Sequence, residues 1–283
     1  MKDTSPRIRT FLAILAVVIG LFMVVVAPIL VQVSLDRIIA ALVEVAKERP
    51  QYESGITIFA FFYPLWRAFN FIAGAALIVI APAIYKGKEW TYHVALLAYA
   101  MPSMGGMFMF LPYVSWVPGF PIPMVMMWVG LVGFWGTLWL RQADRTQKLA
   151  EFLVYTFVGM LATHSFILNI GALRMLMTRP GQPLFNGVEW WILTMVGDID
   201  LLACAMLIIS LPLLALRKSA GWWLAVISSV AILLIDAPTQ LIRTATLDYL
   251  WGTLLAIGTL FFLLFPLFRQ RLIAESQIVS ASG

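Results

Sequence analysis

Long apolar runs separated by short polar connectors recur along the chain, at roughly 10 to 34, 56 to 84, 91 to 113, 120 to 140, 149 to 175, 190 to 216, 221 to 242 and 247 to 268. Each is continuously apolar rather than alternating, and each exceeds the roughly 18 residues at which a helix crossing about 30 Å of hydrocarbon becomes the default reading. Strands of a membrane barrel would instead be short segments of alternating polarity. The pattern therefore predicts an all-α, polytopic transmembrane helical bundle of about eight spans, with residues 1–283 forming a single transmembrane domain.

Composition leaves no soluble alternative. Of 283 residues 62% are hydrophobic and 12% charged, and a mean hydropathy of +0.93 lies far outside the range of water-soluble domains. The net charge of +5 is spread over short connectors without forming a patch, so nucleic acid is not a partner; the bilayer is. With Cys204 as the only cysteine, an intramolecular disulfide, a CxxC pair and a cysteine-built metal site are excluded. A basic leader with Lys2, Arg7 and Arg9 precedes the first run as in a secretory signal, but the run is too long and no small-residue cleavage motif follows, so it is read as an uncleaved span.

Basic residues also give a sidedness. Lys2, Arg7, Arg9, Lys86, Lys88, Arg141, Arg145, Lys148, Arg217, Lys218, Arg269 and Arg271 all fall on one side of an eight-span chain. The opposite connectors hold Arg37, Lys47, Arg49, Arg179 and Arg243, the first three beside Asp36, Glu44 and Glu48. The positive-inside rule makes the richer side cytoplasmic and puts both termini there, in a cell membrane. Trp90, Trp116, Trp190, Trp191, Trp222 and Trp223 fall at span ends, where indoles favour the interface. The segment from Asp36 to Arg49, ended by Pro50, reads as a short helix lying on the outer surface.

The connector Tyr85-Lys86-Gly87-Lys88-Glu89-Trp90 is echoed by Arg217-Lys218-Ser219-Ala220-Gly221-Trp222. This suggests internal halves 1–145 and 146–283 of four spans each, parallel in topology; the competing account is that any cytoplasmic hairpin can carry Lys and Trp.

Candidate chemistry lies in charges within the apolar runs, because such groups usually face a protein interior or a wet cavity. The second run carries Tyr63, Arg67, Asn70 and Gly74 on one helical face. The sixth carries Asp198 and Asp200, which about 200° of helical rotation keeps from pointing at one spot. Arg67 lies 23 residues before Trp90, and Asp200 and Asp198 lie 22 and 24 before Trp222, so the repeat places these charges at equivalent depth and makes either aspartate a candidate partner for Arg67. The seventh carries Asp236, Thr239, Gln240 and Arg243 on one face around Pro238, which frees the Leu234 carbonyl; a cation site and a structural Asp–Arg pair are the competing readings. The fifth carries His164 with Thr163, Ser165 and Asn169; a proton relay, a pigment or haem ligand, and a packed histidine are all compatible with it. His93 lies at a different depth. Met101, Met104, Met107 and Met109, with Met124, Met126 and Met127, suggest either Cu(I) ligands or ordinary apolar filler.

The binding or ion-pair candidates are thus Arg67, Asn70, His164, Asp198, Asp200, Asp236, Gln240 and Arg243. No catalytic signature is present, and the residues name no cofactor. They fit a transporter with a polar midplane site for a small solute or ion. The alternative is a noncatalytic subunit of a larger membrane complex, contacting other membrane subunits, quinone or pigment.

Overall fold

The computed structural model describes residues 4–177, 188–244 and 246–273; Lys2 and Arg179 lie outside them, as do the side chains of residues 189 and 190. Among the described residues there are helices and turns and no strand. Helix α1 runs from Pro6 to Glu48, with one π-helical turn at Phe22–Val26. There follow α2 (Glu53–Tyr85), α3 (Thr91–Trp116), α4 (Pro123–Leu140), α5 (Arg145–Met177), α6 (Val188–Ala215), α7 (Ser219–Ile242), α8 (Asp248–Leu264) and the short α9 (Pro266–Leu272). The first seven are long and apolar enough to cross a membrane. Helix α8, with 17 residues, reaches about 25 Å and completes an all-α bundle of about eight spans. A 75° bend at Phe265 and Pro266 turns α9 away from it.

The chain divides into two compact units, Met1–Ala143 and Asp144–Gly283. In the first, α1 packs on α2, α2 on α3, α3 on α4 and α4 back on α1, which closes a four-helix ring. In the second, α5, α6, α7 and α8 close a ring of the same order, and α9 packs on α5 and α8.

Helix α1 shows why these faces meet. Leu12, Ala16, Ile19, Met23, Ala27, Val31, Ile38 and Leu42 form a buried stripe at steps of three, four and seven, while Phe11, Ile14, Val18, Leu21, Val25 and Ile29 form an exposed apolar one. Burial of one stripe and exposure of the other is what a bilayer solvent permits, since lipid accepts apolar side chains that water would not. The closest crossing falls at Gly20 and Gly74: a Cβ on either would stand 2.8 Å from the backbone oxygen of the other, so only glycine lets α1 and α2 approach this far.

Residues 36–49 depart from expectation. They form no separate surface helix but the last turns of the unbroken α1, whose 43 residues extend about 65 Å, twice the hydrocarbon thickness. No helix breaker lies between Ser34 and Arg49, and Ser34, Ile38 and Leu42 are buried, so packing keeps the segment in line until Pro50 ends it.

Candidate functional site

In the second unit, α6 and α7 form a hairpin about the turn 216–218. Asp200 lies 15 residues before Ala215 and Asp236 lies 17 after Ser219, so both stand at similar height, roughly 23 to 26 Å above the turn. Both are fully buried, and Asp236 is close enough to act electrostatically on Asp200. None of their four carboxyl oxygens has a hydrogen-bond partner.

Helix α5 presents Ser165 and Asn169, one turn apart, to the same region. The Ser165 hydroxyl lies beside Asp200. It is buried without a hydrogen-bond partner of its own, as is Oδ1 of Asn169, whose Nδ2 donates to the Gly197 carbonyl at 2.9 Å. His164 Nε2 lies 2.8 Å from the Asp248 carbonyl oxygen; a carbonyl only accepts, so Nε2 carries the hydrogen and Nδ1 is left for other duty. Gly252 of α8 holds the space between: a Cβ there would collide with Asp236 Oδ2 and stand 3.3 Å from His164 Cδ2. Towards the α7–α8 connector the group is capped by an apolar layer of Leu168, Ala172, Ile192, Leu193, Val196, Ile235 and Tyr249.

Other candidates take different places. Asp198 is exposed on α6, around the helix from Asp200. Gln240 accepts from the Leu250 N–H at 2.8 Å and donates to the carbonyls of Arg243 and Thr246 at 3.0 and 2.8 Å. It thereby fastens the α7–α8 connector, and its whole amide is used in doing so. Arg243 donates to Met175 Sδ at 2.9 Å and acts electrostatically on Tyr249. Pro238 and Leu234 are on the exposed side of α7, so the carbonyl freed by proline lies around the helix from Asp236 and does not complete a cation site with it.

In the first unit, Arg67 is half-buried and donates to Gln32 Oε1 at 2.9 Å, and Gln32 Nε2 donates to Asp36 Oδ1 at 2.9 Å. Asn70 is fully buried with both amide atoms unpartnered. Tyr63 donates to the Met109 carbonyl at 3.2 Å, within an aromatic cluster of Phe59, Trp66 and Phe108. Met104 and Met109 are buried as filler in this unit's core.

Sequence reasoning did not single out Gln32, Tyr249 or Gly252. A glutamine in the middle of an apolar run was a usable signal for the first. Nothing local marks Gly252, whose role depends on what α7 and α5 bring to it. Among the described residues no three His, Cys, Asp or Glu side chains are grouped so as to hold a metal ion.

Fold and site together define an integral membrane protein with a buried polar centre. Comparison with known protein families, with curated proteins and with solved structures returned no match.

Proposed function

We propose that the chain is a transporter and that its substrate-binding centre lies in the second unit, around Asp200, Asp236, Ser165, Asn169 and His164. The observation that carries this reading is the pair of adjacent, fully buried carboxylates with no hydrogen-bond partner. A purely structural helix bundle gains nothing from such a pair, because each unsatisfied charge in an apolar interior is costly and apolar residues of similar size pack there without cost. Ionisable groups within spans commonly mark solute or ion pathways.

The test uses the whole chain in detergent and in proteoliposomes. Screening small charged and polar solutes by thermal shift should find a class that stabilises the wild type and not Asp236→Asn. Radiolabelled members of that class should enter wild-type vesicles and fail to enter Asp236→Asn vesicles, while the variant keeps its expression and melting temperature. A variant that does not fold points to a structural role for Asp236.

One observation favours a second reading, that of a subunit in a larger membrane complex. Asp198 is exposed in the middle of α6 on a stripe with Trp191, Met195, Leu202 and Ile209. A carboxylate on an apolar outer face is stabilised by a neighbouring chain that covers it. Native mass measurement after gentle solubilisation distinguishes the two: a fixed stoichiometric partner or bound pigment favours the subunit.

A further inference from the structure

We propose that Asp200 and Asp236 bind one exchangeable proton and share it between their carboxyl groups. This names the ion handled by the centre described above, and its place in a transport cycle rests on that reading.

The argument starts from charge. The two carboxyl groups stand at similar height on neighbouring packed helices, near enough to act on one another electrostatically, and both are fully buried. Neither has a hydrogen bond to a cationic side chain, and the donor that stands beside Asp200 is the Ser165 hydroxyl. Two such groups in a medium of low dielectric do not both stay ionised; a single proton placed between them removes one charge and supplies the missing hydrogen bond to the other. Ser165, beside Asp200, and Asn169 Oδ1 are also buried without partners, so the hydroxyl is free to donate to whichever carboxyl oxygen remains anionic.

The groups that face the pair supply no permanent counter-charge within hydrogen-bond reach. From α5 comes His164, tied through Nε2 to the Asp248 carbonyl. Helix α6 adds Cys204 on the side of Asp200, while Asp198 faces outward. From α8 comes Tyr249, which also feels Asp248 and Arg243. Arg243, at the end of α7, acts on Tyr249 and donates to Met175 Sδ.

A sodium ion is the obvious rival occupant, and the backbone argues against it. Membrane sodium sites draw carbonyl oxygens from unwound helices. Here α6 is helical throughout Val188–Ala215 and α7 throughout Ser219–Ile242, so the carbonyls around Asp200 and Asp236 stay within their helices. A proton needs no such shell. Its uptake forms one O–H bond on a carboxyl oxygen and consumes one hydronium ion, and its release reverses both.

The test is infrared difference spectroscopy of the full chain in phosphatidylcholine/phosphatidylglycerol vesicles. At neutral pH the wild type should show the C=O stretch of a protonated carboxylic acid, which moves on exchange into D2O and disappears as the solution is made alkaline. Asp200→Asn or Asp236→Asn alone should shift the band, and the double variant should lack it. Glu151→Gln, which alters another buried acid, should leave it in place. Replacing K+ by Na+ in the buffer should have no effect. Absence of the band in wild type from neutral to mildly acidic pH, its survival in the double variant, or its removal by Na+ but not K+ would each overturn the proposal. The wild-type readings do not depend on how the variants fold. A lack of solute uptake would count against the transport reading without touching this band.

Discussion

Arg67 illustrates how a single residue within a span is satisfied. Guanidinium does not shed its proton, so it must find acceptors wherever the helix places it. Here it reaches across to Gln32, which passes the polarity on to Asp36, the nearest anion in that relay. Arg67→Met should therefore destabilise the solubilised protein by about 1 to 3 kcal/mol, the usual cost of leaving polar partners unmatched. Addition of Asp36→Asn should recover part of the loss in thermal or denaturant unfolding. Recovery with Asp198→Asn or Asp200→Asn instead would identify one of those carboxylates as the counter-anion of Arg67. Gln240 shows the converse case, a polar residue in a candidate stripe whose hydrogen bonds all serve the adjacent connector.

At the level of elements, the two echoed connectors end their helices in the same way. After α2, Gly87 has φ +72°, its N–H bonds to the Ile84 carbonyl, and Lys88 N–H reaches back five residues to Ala83. After α6, Arg217 has φ +55°, its N–H bonds to Leu214, and Lys218 N–H reaches back five residues to Leu213. Both are Schellman turns, which require a left-handed residue that is usually glycine. The second unit puts an arginine there at a cost of roughly 1 kcal/mol. Arg217→Gly should accordingly raise stability by up to about that amount, less what is lost with the long contact from Arg217 Nη2 to the Ile273 carbonyl. Unfolding of the variant in the same detergent measures it, and a fall in stability would give the side-chain contact more weight than the backbone strain. A second parallel ties the chain just past the fourth helix of each ring to the start of the third: Arg141 lies over the Tyr92 ring at 4.1 Å in the first unit, and Arg269 over the Trp222 ring at 4.6 Å in the second. The two units are thus alike at these two places, with Gly87 matching Arg217 and Tyr92 matching Trp222, a register two residues away from the Trp90–Trp222 echo in the sequence.

For the whole molecule, the distribution of lysine and arginine sets the expected orientation. With eight spans, the positive-inside rule predicts that Lys88, Arg145 and Lys218 face the cytoplasm and that Glu48 and Trp116 face the opposite side. Single cysteines at these positions on a Cys204→Ala background, labelled with an impermeant thiol reagent in intact cells and in inverted vesicles, should divide accordingly. Cysteines placed for Lys88 and Glu48 that react from the same face would overturn the arrangement. Cys204 is buried, so its removal should disturb labelling little.

Hydrophobicity is a property of the chain itself, and the bilayer turns it directly into structure: a long apolar run that must satisfy its own backbone hydrogen bonds has few options besides a helix. For that reason the all-helical class, the presence of about eight spans and the limits of most of them were legible in the sequence. The periodicity of Tyr63, Arg67 and Asn70, and the opposed directions of Asp198 and Asp200, were equally readable, because helical geometry relates residues two to seven apart without reference to neighbours. What lay beyond this range depended on which helix met which. That Asp200 stands beside Asp236 rather than alone, that Gly252 leaves room for a carboxylate, that Gln240 is consumed by a connector and that residues 36–49 continue α1 are outcomes of packing between segments far apart in sequence. Local periodicity gives each helix a face but not a partner, and only the closed ring of four helices decides which faces are shared.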